Sequence, residues 1–233
     1  MDLVQQENFN SSQDAFEYFY DFILQNGYNY QNTKAIFNTK IVLENPLNNK
    51  IYTKWRKWRL SYAEEEWNWY NDKTLNPDRV IKAGAKLWDK LKDENGNVMS
   101  NYGYWWNMHN QLDNVINELR VNPTTRQASI SLLDTKIKDQ NLKDIICTWG
   151  IQFYIINNKL NMSIMMRSND LIYGFCNDQY CFSQLQKYVS NKLNLEIGIY
   201  THFVNNLHIY KKHWSLKNDN NSNNTGKSPI VKR

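Results

Sequence analysis

Two apolar runs separated by Asn157-Asn158 constrain this chain more than any other stretch. CTWGIQFYI, residues 147–155, precedes the pair, and LNMSIMMR, residues 160–167, follows it. Consecutive asparagines tolerate the left-handed backbone of a two-residue hairpin turn. A lone hairpin cannot bury its own apolar face, so it needs more strands or a helix. The chain supplies both. DQYCFSQLQKYVSNKLNL, residues 178–195, reads as a helix whose Phe182, Leu185, Tyr188, Val189 and Leu193 share one face. EIGIYTHFVNNLHIY, residues 196–210, is again extended. Strand, turn, strand, helix and strand in that order predict an α+β fold, with the helix buried against a sheet.

The first half is more helical. SSQDAFEYFYDFILQNG predicts an amphipathic helix, capped by Ser12 and ended by Gly27. KAIFNTKIVLE, residues 34–44, predicts a strand, and the second half of residues 51–72 a helix. DNVINELRV, residues 113–121, predicts another, stopped by Pro123. With no linker inside, residues 1–214 read as one domain, and the Asn-rich residues 215–233 as a disordered tail.

Several function classes recede on composition. The net charge of +5 suits anionic ligands but is too mild to argue direct nucleic-acid binding. TKWRKWR, residues 53–59, interleaves cations and tryptophans, and reads as a solvated face whose basic stems cover the rings. Three cysteines without metal spacing fit a reducing compartment and no metal site. No leader-like start and no long apolar span is visible, so a cytoplasmic, membrane-free protein is expected.

Cys147 is either core packing or a nucleophile, and the hairpin bears on the choice. It returns the chain so that Arg167 ends the strand beside the one carrying Cys147, which would put a guanidinium near the thiol. Arg126 and Arg167 suit phosphate, with surface ion pairs as the alternative. His208 beside Tyr210 reads as a hydrogen-bonding pair.

The remaining motifs matter by their order. ExxW (Glu66 to Trp69) is followed by LWD (87–89), NYG (101–103), NPTTRQ (122–127) and CxxxxQF (147–153). Then come RSND (167–170), GFCND (174–178) and LHIY (207–210). This series resembles the thymidylate synthase superfamily over roughly residues 60–213. The forms MRSND and GFxND are most similar to its deoxycytidylate hydroxymethylase branch. The resemblance implies a thymidylate synthase-like mixed or antiparallel sheet and a homodimer formed through it. It also implies transfer of a one-carbon unit from 5,10-methylenetetrahydrofolate to C5 of dCMP, with water adding last. A synthase acting on dUMP and a non-enzymatic nucleotide-binding homologue are the alternatives.

The implied roles fall position by position. Cys147 would add to C6 of the pyrimidine. Glu66 would organise water and proton transfer, although Glu64 also stands three before a tryptophan. Tyr102 would assist at C5. Arg167 and Ser168 would hold phosphate, with Arg126 reaching it from the partner subunit. His208 and Tyr210 would hold the sugar hydroxyl. Asn177 and Asp178 would meet the base, Asp178 standing where synthases place the asparagine that reads uracil. Asp170 would bind the pterin, with Trp88, Gly174 and Phe175 lining the folate site. The family's second arginine is here Gln127, and the residue after the cysteine is Thr148.

Overall fold

The computed structural model describes residues 5–133 and 143–218. Its centre is one open, mixed sheet of eight strands, ordered β1-β3-β8-β6-β5-β4, with β2 on β3 and β7 on β8. The strands are β1 (Gln5–Phe9), β2 (Tyr28–Tyr30), β3 (Thr33–Leu43), β4 (Ser129–Ser131), β5 (Thr148–Ile156), β6 (Lys159–Met166), β7 (Asn169–Asp170) and β8 (Glu196–Tyr210). The helices are α1 (Ser12–Asn26), α2 (Leu60–Asn71), α3 (Asp78–Lys82), α4 (Leu87–Leu91), α5 (Tyr102–Asn107), α6 (Gln111–Val121) and α7 (Cys176–Leu193). Of the tail read as disordered, residues 219–233 lie outside the described residues.

The Asn157-Asn158 turn forms as its residue types require. Both residues are left-handed, at φ 51 and 58, and β5 pairs antiparallel with β6 from Ile156↔Lys159 back to Thr148↔Met166. Near its start β5 slips register between Thr148 and Gly150, the bulge next to Cys147. β8 then lies parallel to β6 through the α7 crossover and antiparallel to β3. Ile151, Phe153, Met162, Ile164, Tyr200, His202, Ile41 and Leu43 share one side of these strands and are buried with the helices. The opposite side exposes Trp149, Met165 and Phe203.

Local readings shift in three places. The α1 cap is Ser11, whose Oγ accepts from the Asp14 N–H at 3.1 Å, while Ser12 is buried and donates to Gln179 of α7. α7 begins at Cys176, so Asp178 belongs to its first turn, and Tyr188 stays 39% exposed instead of joining the buried face. Residues 53–59 are not a solvated face. Trp55 packs on Tyr20 and Phe16, Arg56 Nε donates to the Ile172 carbonyl at 2.6 Å, and Trp58 Nε1 donates to Asn177 Oδ1 at 2.8 Å. The segment is a strap across the turn that carries Asp178.

Candidate active site

The start of β5, the C-terminal end of β6 and the short β7 build the site. β6 ends at Met166, β7 is two residues long, and a π-helical turn, Leu171–Phe175, leads into α7. Asp170 caps that turn by accepting from the Ile172 N–H at 2.9 Å. Such turns recur at functional sites because they break the regular side-chain spacing. This one brings Asn169 and Asp178 together, with Asn169 Nδ2 donating to Asp178 Oδ2 at 2.6 Å.

Cys147 sits one residue before β5, at the foot of the bulge. The expected guanidinium is beside it. The Arg167 backbone N–H donates to the Cys147 carbonyl at 2.8 Å, and its side chain donates to the carbonyls of Ile146 at 3.0 Å and Ile145 at 2.6 Å. Two guanidinium nitrogens thus fix the segment leading to the thiol, and donors remain for an anion. Burial nevertheless pushes the thiol up to about 11, against the pull of Arg167. The cysteine rests as a thiol near neutral pH, and forming the thiolate requires an acceptor for its proton.

Glu66 settles inward. It is 5% exposed on α2, whereas Glu64 is exposed on the same helix. Burial and the nearby Asp178 charge push its carboxyl up to about 8, opposed by a long hydrogen bond from the Tyr70 hydroxyl. Its Oε2 is buried without a partner among the described residues. Asp178 is likewise buried, and desolvation raises it to about 7 despite the Asn169 bond. A carboxyl poised near neutral pH can either give or take a proton. Tyr102, at the start of α5, is buried beneath Phe182, and burial with the charges of Asp178 and Cys147 holds its phenol protonated. Tyr210 feels both Asp170 and Cys147. Cys147, Glu66, Tyr102, Asp170, Asp178 and Tyr210 are therefore one electrostatic cluster.

Other expected residues sit differently. His208 does not pair with Tyr210 through a hydrogen bond; the rings meet edge-on at 5.1 Å, and His208 Nδ1 faces Asn206 Oδ1 at 3.0 Å. Alternating side chains on a strand put His208 and Asn206 on the same side. Asn177 spends both ends internally, accepting from Trp58 and donating to the Tyr173 carbonyl at 3.0 Å. Phe175 is fully buried, edge-on to His202, and offers no surface to a ligand. Trp88 reaches the cluster through Tyr62, donating to its hydroxyl at 3.0 Å. Gly174 lies over Asn169 and Asp178. Ser168 is half-buried and makes no hydrogen bond among the described residues. Arg126 is exposed near β4, beside Glu118 and Thr124, and its guanidinium has no partner among the described residues.

Four residues carry weight that the sequence did not signal. Asn169 pins Asp178. Asp144 accepts from the Ser100 N–H at 2.8 Å and its hydroxyl at 2.9 Å, tying the approach to Cys147 to the approach to Tyr102. Trp58 and Arg56 hold the Asp178 turn. Only Asn169 had a visible hint, its place inside the dense polar run 167–170.

The thymidylate synthase family model matches residues 15–232. The chain belongs to the thymidylate synthase family. Deoxycytidylate 5-hydroxymethyltransferase of Enterobacteria phage T2 is 33% identical over 190 residues, covering 74% of this chain and 75% of that protein. The phage T4 protein of that name is 32% identical over 173 residues, covering 66% and 69%. Thymidylate synthase 1 of Bacillus spizizenii is 25% identical over 172 residues, covering 70% and 61%. As a family member the chain is an enzyme of folate-dependent one-carbon transfer to a nucleotide. Among the described residues no helix is long and apolar enough to cross a membrane.

Proposed function

We propose that the enzyme transfers the one-carbon unit of 5,10-methylenetetrahydrofolate to C5 of dCMP and lets water finish the reaction. The products are 5-hydroxymethyl-dCMP and tetrahydrofolate. The observation that carries this reading is Asp178, a buried carboxyl poised to hold a proton at neutral pH. Cytosine presents an acceptor at N3 and donors at N4. A protonated carboxyl gives a hydrogen bond to N3 and accepts one from N4. Uracil has the reverse polarity, and a buried polar mismatch discriminates by orders of magnitude.

The Cys147 thiolate adds to C6, which makes C5 nucleophilic toward the methylene carbon of the folate. Loss of tetrahydrofolate and of the C5 proton leaves an exocyclic methylene. Water adds to that carbon, and the C6–S bond breaks to release the product. Glu66 serves as the proton acceptor and donor for thiol and water, supported by its inward position and raised carboxyl. Tyr102 assists at C5. The unused donors of Arg167, with Ser168, meet the phosphate. His208 and Tyr210 meet the 3′ hydroxyl. On the folate side, Asp170 takes the pterin, beside Trp88 and Gly174. Arg126 serves the phosphate site of a second copy in a dimer packed through the sheet. Its lack of a partner among the described residues and the exposed Trp149, Met165 and Phe203 support that arrangement.

Mass spectrometry of the products tests the reading. The purified protein is given methylenetetrahydrofolate with equal dCMP and dUMP. Hydroxymethylated dCMP without dihydrofolate is expected. Methylated dUMP with dihydrofolate would overturn both the base assignment and the terminal step. Asp178→Asn is expected to shift preference toward dUMP.

A further inference from the structure

Asn169 donates to only one oxygen of Asp178, Oδ2, at 2.6 Å. Asp178 Oδ1 accepts no hydrogen bond among the described residues. The amide's other end, Asn169 Oδ1, is buried and has no partner among the described residues. A buried amide kept only to satisfy its surroundings would have both ends bonded. This one gives a single bond among the described residues, to Asp178. Its backbone is fixed by the β7–β8 pairing, Asn169↔Leu207. Gly174 keeps the space above the pair clear. A methyl there would come within 2.9 Å of Asn169 Nδ2 and 3.2 Å of Asp178 Oδ2.

We propose that Asn169 is the positioning residue for base selection, holding Asp178 Oδ2 as an acceptor so that the proton of the carboxyl resides on Oδ1. A carbonyl oxygen accepts an amide N–H better than a hydroxyl oxygen does, so the donor decides which oxygen stays unprotonated. The same logic sets histidine tautomers. Oδ1–H then faces N3 of cytosine, and the second lone pair of Oδ2 faces the N4 amino group. Without the amide the proton exchanges between the oxygens, and the carboxyl has no fixed polarity. The inference rests on the reading of Asp178 as the carboxyl that meets the base.

The groups facing Asp178 are Glu66, Tyr62 and Tyr70 from α2, Tyr102 from α5, and Cys147 before β5. Asp170 from β7, Cys176 and Cys181 from α7, and Tyr200 from β8 complete the set. None is a cation, so the Asn169 amide is the donor that tempers the rise of the carboxyl.

The test is the dissociation constant of the full-length protein for dCMP and for dUMP between pH 6 and 9, in wild type and Asn169→Ala. Wild type is expected to prefer dCMP, with that preference fading toward alkaline pH. Asn169→Ala is expected to lose about 10- to 100-fold of the preference on the acid plateau, the scale of loss when a partner that orients a metal-binding side chain is removed. The loss falls on dCMP and not on dUMP. Removing a donor to the charged form also moves the alkaline fade up by about one pH unit. A preference retained within about twofold, or equal weakening of both nucleotides with an unmoved profile, overturns the proposal and leaves the base reading intact. A wild type without dCMP preference removes the base reading, and this inference with it. Gly174→Ala presses on the same bond from outside. Should Asn169→Ala fail to fold, it must show the same selective loss or the proposal falls.

Discussion

Glu66 makes the stability of this enzyme depend on pH in a direction opposite to that of an ordinary carboxylate. Its folded value is raised to about 8 by burial and by Asp178, and Asp178 itself is raised to about 7. In the unfolded chain both ionise near pH 4. Between those values the folded state binds more protons than the unfolded one, so stability falls as pH rises. The histidines pull the other way only at lower pH. Burial lowers His202 to about 3, so its neutral form favours the fold only down to the unfolded value near 6.5. From pH 6.5 to 8 the carboxyls dominate. Integrating their protonation over that window gives a loss of about 2 kcal/mol, most of it from Glu66. Glu66→Gln replaces the carboxyl with a neutral group of the same shape. Urea unfolding at constant ionic strength should find the variant more stable than wild type already at pH 6.5, with the gap wider by over about 1 kcal/mol at pH 8. Other titrations, including those of the buried cysteines, are common to both proteins and cancel. Parallel stability curves for the two proteins would refute the assignment of a protonated, buried Glu66.

Trp58→Phe removes the donor to Asn177 Oδ1 and leaves a buried acceptor unpaired, which should cost about 1–3 kcal/mol in denaturant unfolding and raise KM for the nucleotide through the loosened Asp178 turn. Gly103→Ala would set a methyl 1.9 Å from the Tyr70 carbonyl oxygen, a backbone atom that cannot swing aside. A loss above about 3 kcal/mol, or failure to fold, is expected by circular dichroism, and an unchanged melting temperature would show that α5 can move off α2.

What the sequence made legible is what local chemistry decides. Asn157-Asn158 is a turn because asparagine tolerates left-handed backbone, and the strands on either side then follow in register. Arg167 reaches the Cys147 segment because the same hairpin returns it there. Glu66 and Glu64 were indistinguishable by spacing to a tryptophan, and only the packing of α2 on α7 separates the buried one from the exposed one. What stayed hidden is non-local. Trp58 finds Asn177 119 positions later, and Arg56 finds Ile172 116 positions later. No periodicity reports such pairs, and basic residues alternating with tryptophans look the same on a solvated face as in a strap. The partners also explain the error: Arg56 binds a backbone carbonyl, and Asp144 a backbone N–H besides the Ser100 hydroxyl, and backbone groups carry no residue identity for a motif to record. A motif therefore names the groups that meet the substrate more readily than the groups that aim them. Asn169 stood in plain view within RSND and still gave no sign of its role, because that role is the orientation of one oxygen on a neighbour nine residues away.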